Sequence, residues 1–140
     1  MPTEAAMTLT GTWQKETILS TLGIEVVEST KERAVVRMPV GPKVHQPYGL
    51  LHGGASVVLA ETAATLGGLM QIDREKEMVV GLEINANHLR GKRDGTLTAI
   101  ATPVHVGRKT HVFDVRITDE VGKLVCISRC TLAVVPAGGG

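Results

Sequence analysis

Aromatic residues are almost absent from this 140-residue sequence: Trp13, Tyr48 and Phe113 are the only ones. The core must therefore be aliphatic, and a surface that stacks unpaired bases on aromatic rings is not expected. The net charge is +1 and the basic residues are scattered, so no basic stripe indicates a nucleic-acid partner.

Cysteine is scarce too, with only Cys126 and Cys130 in one predicted strand. At about 3.3 Å per residue this spacing places them roughly 13 Å apart on one face, too far for a disulfide. We therefore expect buried free thiols in a reducing cytoplasm. There is no basic flank followed by an apolar run, so neither a signal peptide nor a membrane span is expected.

Several catalytic motifs are also missing. Residues 54–58, Gly-Ala-Ser-Val-Val, lack the closing glycine of the serine-hydrolase motif. The five histidines are dispersed, and the cysteine pair lacks the spacing of a zinc site. Glycine-rich phosphate-binding motifs are absent as well. We therefore expect no metal and no cofactor.

The central segment, residues 53–72, contains a single charged residue, Glu61. Its composition predicts one helix of about 18 residues, and a helix that is apolar all round is usually buried. A buried carboxylate is costly unless it is paired, so Glu61 is the first candidate for chemistry. The alternative is that Glu61 faces a groove or pairs with a buried histidine or arginine.

Upstream of this helix, Thr12 is predicted to cap a short helix that contains Trp13 and ends at Gly23. Residues 24–40 then form a strand with a charged turn at 29–32. Downstream, short turns separate predicted strands at residues 78–89, 96–106, 110–118 and 123–135. Strict alternation in the first of these predicts a shared face for Met78, Val80, Leu82, Ile84, Ala86 and His88.

Short turns imply antiparallel neighbours, so the chain is predicted to be α+β, with one long helix against five or six antiparallel strands. We expect a single domain over residues 1–140, with residues 1–10 and 136–140 flexible. One helix cannot cover both faces of such a sheet. An uncovered face or edge therefore predicts a homo-oligomer.

Two motifs resemble the hotdog-fold acyl-CoA thioesterases: Tyr-Gly-Leu-Leu-His-Gly-Gly-Ala-Ser-Val-Val-Leu-Ala-Glu at 48–61 and Val-Gly-Leu-Glu-Ile-Asn-Ala-Asn-His at 80–88. The sequence is most similar to the phenylacetate-pathway and Arthrobacter-type 4-hydroxybenzoyl-CoA branch. It is also similar to bacterial 1,4-dihydroxy-2-naphthoyl-CoA and enterobactin proofreading thioesterases. The resemblance implies a helix wrapped by a curved sheet, a dimer of dimers, and active sites at subunit interfaces.

The resemblance also implies catalytic roles. Glu61 attacks the thioester carbonyl or deprotonates the attacking water, and the backbone N–H of Gly53 stabilises the oxyanion. Gln46 and His52 orient the thioester, and Thr65 helps to place the water. Simpler roles remain open: a tight turn for Gly53, helix entry for His52, a solvated loop for Gln46, and an i−4 backbone bond for Thr65.

Basic residues must meet the phosphates of coenzyme A, which is part of the substrate. The resemblance implies contacts from His88 and Arg90 and from the turn residues Arg108 and Lys109, with Thr62 a weaker candidate. Many relatives have serine and then a basic residue after this turn glycine, so the Arg108-Lys109 pair departs from the family pattern. Exposed basic residues in turns are also commonly only solvated.

The expected substrate is an aromatic acyl-CoA of the hydroxybenzoyl, phenylacetyl or dihydroxynaphthoyl type. One alternative is a hotdog dehydratase or hydratase acting on an enoyl thioester, although the proline-rich loop of that class is missing. The other is a non-catalytic acyl-CoA-binding sensor.

Overall fold

The computed structural model describes residues 15–138. Within these residues, two helices (α1 and α2) and six strands follow one another. Their order is α1 (Ile18–Leu22), β1 (Glu25–Ser29), β2 (Ala34–Pro39), α2 (Gly53–Leu69), β3 (Glu77–His88), β4 (Thr96–Val106), β5 (Thr110–Thr118) and β6 (Leu124–Pro136), with a 3-10 turn at Pro42–Val44. Within 15–138, no helix is long and apolar enough to cross a membrane.

The short first helix begins later than predicted. Thr17 is its N-cap, because its side chain accepts a hydrogen bond from the N–H of Leu19, and Ser20 completes the capping box. Gly23, at a φ of 72°, ends the helix as predicted. The proposed cap Thr12 and Trp13 lie outside the described residues.

All six strands form one antiparallel sheet in the order β1-β2-β4-β5-β6-β3. Helix α2 packs against β2 to β6. This confirms the predicted arrangement of one long helix against an antiparallel sheet, with six strands. The core between them is aliphatic apart from Phe113.

Two glycines near the end of α2, Gly67 and Gly68, are packing positions. A Cβ at Gly67 would lie 2.6 Å from Cε1 of Phe113, and one at Gly68 would lie 2.6 Å from Cδ1 of Leu132. The helix therefore approaches the sheet closely at this end, and it continues to Leu69.

Strand β3 does not have the single apolar face that alternation predicted. A β-bulge between Gly81 and Glu83 inserts one extra residue, so the side chains after it point to the opposite face. Before the bulge Val79 is buried and Val80 is 38% exposed, and Leu82 within the bulge is 62% exposed. β3 is also an edge strand, with one side of its backbone unpaired by the described residues.

Cys126 and Cys130 are free and buried, as predicted. Burial, together with the nearby carboxylates of Glu61 and Glu83, raises the pKa of Cys130 to about 12, so the thiol stays protonated at neutral pH. The last strand runs one residue further than expected, to Pro136. The Ala137 N–H then donates to the Lys76 carbonyl at 2.9 Å, inside the segment predicted to be flexible.

Candidate active site

His52 is the N-cap of α2. Its Nδ1 accepts a hydrogen bond from the Gly54 N–H at 2.7 Å. An Nδ1 that accepts cannot carry the proton of a neutral imidazole, so that proton lies on Nε2. The ring is exposed, which leaves Nε2–H free to donate to a bound molecule. The helix-entry role is therefore real, and it is compatible with a role in the active site.

Gln46 organises the loop that precedes the helix. Its Oε1 accepts from the backbone N–H of Tyr48 at 2.6 Å and from that of Leu50 at 3.4 Å. These two donors fix the orientation of the amide. Among residues 15–138, no acceptor pairs with its Nε2, so the half-buried side chain presents an N–H donor. Gln46 is thus an ordered loop residue and not a freely solvated one.

A cavity of about 370 Å³ opens beside the start of α2. It is lined by Gln46, Leu50, Leu51, Gly53, Ser56, His88, Leu89, Arg90, Gly91 and Val125. One chain therefore brings four of the predicted site residues to a single cavity: Gln46, Gly53, His88 and Arg90.

Gly53 is required for close packing and not for an unusual backbone turn. It lies within the helix and is not among the residues with positive φ. A Cβ at Gly53 would lie only 2.7 Å from Nε2 of His88, so any side chain there would meet the imidazole. Its N–H is one of the unpaired donors at the positive end of the helix. The position therefore suits a donor that a substrate carbonyl must approach closely.

Ser56 also lines this cavity, although no sequence motif predicted it as a site residue. Its side chain is fully buried, and its Oγ has no hydrogen-bond partner among the described residues. The one feature of the sequence that could have indicated a role for Ser56 is its hydroxyl, which lies one turn after Gly53 in an otherwise apolar helix.

Glu61 lies two turns further along α2, outside the cavity lining. It is half-buried in one chain, whereas the apolar composition of the helix predicted a buried carboxylate. Within 15–138 it forms no ion pair, which excludes a buried histidine or arginine partner in that part of the chain. Its carboxylate packs on the bulge of β3, because a Cβ at Gly81 would lie 3.1 Å from the Glu61 Cδ.

The two threonines near Glu61 differ in their contacts. Thr62 Oγ1 donates to the Val58 carbonyl at 2.6 Å, so it forms the i−4 backbone bond considered above for Thr65. Thr65 is half-buried and lies one turn after Glu61 on the same face. No side-chain hydrogen bond of Thr65 is found within the described ranges. Its hydroxyl is thus the one available beside the carboxylate.

The turn that carries Arg108 and Lys109 lies at the other end of the sheet from His88. The residue after it, Thr110, pairs with Ala133, which in turn pairs with Val80. Val80 and His88 are eight residues apart on β3, which is about 26 Å at about 3.3 Å per residue. One chain therefore places this basic turn at the end of the sheet where Glu61 meets Gly81, whereas Arg90 lies at the cavity.

The fold and these motifs define a hotdog-fold thioesterase. The family model described as the Thioesterase superfamily matches residues 48–126, and the chain belongs to this family. The matched region covers the start of α2, Glu61 and most of the sheet. The protein is accordingly an enzyme that hydrolyses thioesters.

Three similar proteins illustrate the relationship. A 1,4-dihydroxy-2-naphthoyl-CoA hydrolase of Listeria monocytogenes is 56% identical over 81% of this chain and 92% of its own length. The structure of thioesterase PA1618 from Pseudomonas aeruginosa, a glutamine-to-alanine mutant, has a TM-score of 0.88 at 46% identity and covers 94% of both chains.

The third is SAV0944 of Staphylococcus aureus, solved as two mutants. The thioesterase with a glutamine changed to alanine has a TM-score of 0.83 at 41% identity and covers 85% of this chain and 98% of its own. The mutant with a glutamate changed to alanine has a TM-score of 0.83 at 42% identity, and it covers 86% of this chain and 99% of its own.

Proposed function

We propose that this enzyme hydrolyses an aromatic acyl-CoA at a site built from two subunits. The observation that carries the proposal is the distance between Gly53 and Glu61 within one chain. Gly53 and Glu61 are eight residues apart on one helix, which is about 12 Å at about 1.5 Å per residue. A carbonyl about 3 Å from the Gly53 N–H is therefore out of reach of the same chain's Glu61.

The edge strand β3 suggests how a second copy completes the site. One side of its backbone is unpaired within the described residues, and the apolar side chains of Val80 and Leu82 are exposed. An edge strand with these properties can pair with a strand of another chain. In the proposed pairing, β3 runs antiparallel to its own copy about a two-fold axis between Ile84 and Asn85, which places Gly81 of one copy near His88 of the other. Gly81 packs on Glu61, and His88 packs on Gly53. The pairing thus brings Glu61 of one subunit towards Gly53 of its partner.

In this composite site the Gly53 N–H stabilises the oxyanion that forms on the thioester oxygen. Gln46, which lines the same cavity, is a further donor through Nε2, and His52 at the start of the same helix is another through its exposed Nε2. Glu61 of the partner subunit either attacks the carbonyl carbon or removes a proton from the attacking water.

If Glu61 attacks, loss of the C–S bond leaves an anhydride between the acyl group and Glu61, and water then hydrolyses this anhydride to the free acid. If Glu61 instead removes a proton from water, the C–S bond breaks to give the free acid directly. In both routes coenzyme A leaves as the thiol, with a proton that comes from the water. Both routes use the same geometry.

The two SAV0944 mutants support the roles of Gln46 and Glu61. The glutamine and the glutamate that were changed in that protein are separated by the same number of residues as Gln46 and Glu61 here. The PA1618 structure carries a glutamine mutation as well. This agreement favours a site that contains both side chains.

The substrate class is supported by charge and by one relative. Arg90 lies exposed at the cavity mouth, and the proposed two-fold pairing brings the partner's Arg108-Lys109 turn to the same end of the sheet. These cations suit the phosphates of coenzyme A. The name of the Listeria relative specifies an aromatic acyl-CoA, and the cavity includes the apolar side chains of Leu51 and Val125.

The test is thiol release measured with a colorimetric reagent across aromatic, short-chain and long-chain acyl-CoAs. The proposal expects the highest kcat/KM for an aromatic acyl group. Turnover confined to long-chain acyl-CoA would refute the substrate class. An absence of release from every ester, with hydration of an enoyl thioester, would replace hydrolysis by the dehydratase reaction.

A further inference from the structure

Ser56 is the deepest polar side chain of the cavity beside α2. It is 0% exposed, and its Oγ lacks a hydrogen-bond partner among residues 15–138. A buried hydroxyl without a partner destabilises a protein, and a helical hydroxyl usually avoids this by donating to the carbonyl four residues back. Thr62 does so on the same helix, whereas Ser56 does not. The hydroxyl of Ser56 is therefore an unpaired polar group in the wall of the cavity, beneath the surface that water reaches.

The direction of the side chain follows from helix geometry. Each Cα–Cβ bond of a helix tilts towards the N-terminus, so Ser56 projects back over the first turn. Gly53 lies three residues earlier on the same face, with its N–H at the proposed oxyanion position. The Ser56 hydroxyl and the Gly53 N–H therefore both lie on the wall of the same cavity.

Exposure gives the order of the groups from the cavity mouth to its floor. Arg90 and His88 are exposed, Gln46 and Gly53 are half-buried, and Ser56 is fully buried. A thioester with its carbonyl at Gly53 and its coenzyme A towards Arg90 therefore directs its acyl group to the floor.

We propose that Ser56 selects acyl groups that carry a hydroxyl on the ring carbon next to the thioester-bearing carbon. The inference rests on the proposed function, and it names the polar group that the floor recognises. Such a hydroxyl lies roughly 3 Å from the carbonyl oxygen and can both donate to and accept from serine. The Listeria relative's named substrate carries a hydroxyl at this ring position. An unsubstituted ring leaves Ser56 without a partner, and a site built this way discriminates against such a ring.

The experiment compares 2-hydroxybenzoyl-CoA with benzoyl-CoA on wild type and Ser56→Ala, each as kcat/KM from thiol release. The ratio of the two substrates is compared between enzymes, which cancels their intrinsic reactivity. We expect the ratio to fall about tenfold in Ser56→Ala, through a loss on the hydroxylated substrate alone. The alanine variant should fold, because alanine favours helix and removes an unpaired hydroxyl.

Ser29→Ala is the matched control. Ser29 is also buried, at 2% exposure, and its Oγ likewise has no partner within the described chain, but it lies on β1 outside the cavity lining. Its variant should keep the wild-type ratio.

Two results would overturn the role of Ser56 while leaving the proposed function intact. One is the same substrate ratio in wild type and Ser56→Ala. The other is an equal loss on both substrates, which would place Ser56 at the carbonyl or in packing alone. If wild type releases no thiol from any acyl-CoA, both the proposed function and this inference are wrong.

Discussion

Gly81→Ala should disable the enzyme by displacing Glu61 without disturbing the fold. A Cβ at Gly81 would lie 3.1 Å from the Glu61 Cδ, whereas ordinary contacts begin at 3.4 Å, and a carboxylate oxygen lies closer still. The carboxylate must therefore swing aside by about 1 Å, and a misplacement of that size costs about a hundredfold in rate. Only the end of a flexible side chain has to move, so stability should change little.

The assay for this prediction is kcat from thiol release, with the oligomeric state measured by size-exclusion chromatography and folding by thermal denaturation. Gly41→Ala is the matched control, because nothing lies within 4 Å of its added Cβ and its φ of −161° is extended. We expect a lower kcat in Gly81→Ala alone, with assembly intact. Wild-type kcat in Gly81→Ala would refute the reasoning.

Two further predictions concern single contacts. Thr65→Val should lower kcat about tenfold, because it removes the hydroxyl beside the Glu61 carboxylate. Thr62→Val removes only the hydrogen bond to the Val58 carbonyl and should leave kcat unchanged. Equal changes of the steady-state kcat in the two variants would contradict this assignment. Glu120 lies 2.7 Å from Lys92 Nζ, and hydrogen bonds from this lysine and from backbone N–H groups hold the pKa of Glu120 below its ordinary value of 4.5. Its stabilising contribution is therefore present above the unfolded pKa and lost as pH falls through the folded pKa. The difference in Tm between wild type and Glu120→Gln should shrink below pH 4.5, and a difference that does not change with pH would argue against the pair.

The sequence predicted the secondary structure well because its signals are local. The apolar run after His52 and the capping position itself are enough to begin α2 at Gly53, and short turns give an antiparallel sheet. The bulge at Gly81 escaped prediction because one inserted residue leaves the composition of a strand unchanged while reversing its faces.

The candidate site was less predictable because it depends on distances between segments. The structure brings the motif residues Gln46 and Gly53 to one cavity. The motif does not show which of its residues share a cavity, so it did not reveal that Glu61 lies outside this lining. The hydroxyl that bonds to the helix backbone is that of Thr62, and one-dimensional spacing does not separate it from Thr65. Ser56 was missed because a buried hydroxyl is recognised only when its missing partner is seen.

The most direct test of a two-subunit site is complementation between inactive variants. Glu61→Ala lacks the carboxylate, and Gly53→Val blocks the oxyanion donor, so each homo-oligomer should be nearly inactive. After co-refolding in equal amounts, half of the dimers are hybrids with one intact site of two, so about one quarter of wild-type activity should return. Activity no greater than that of the two parent variants, with hybrids shown to form, would place the whole site within one chain and contradict the account.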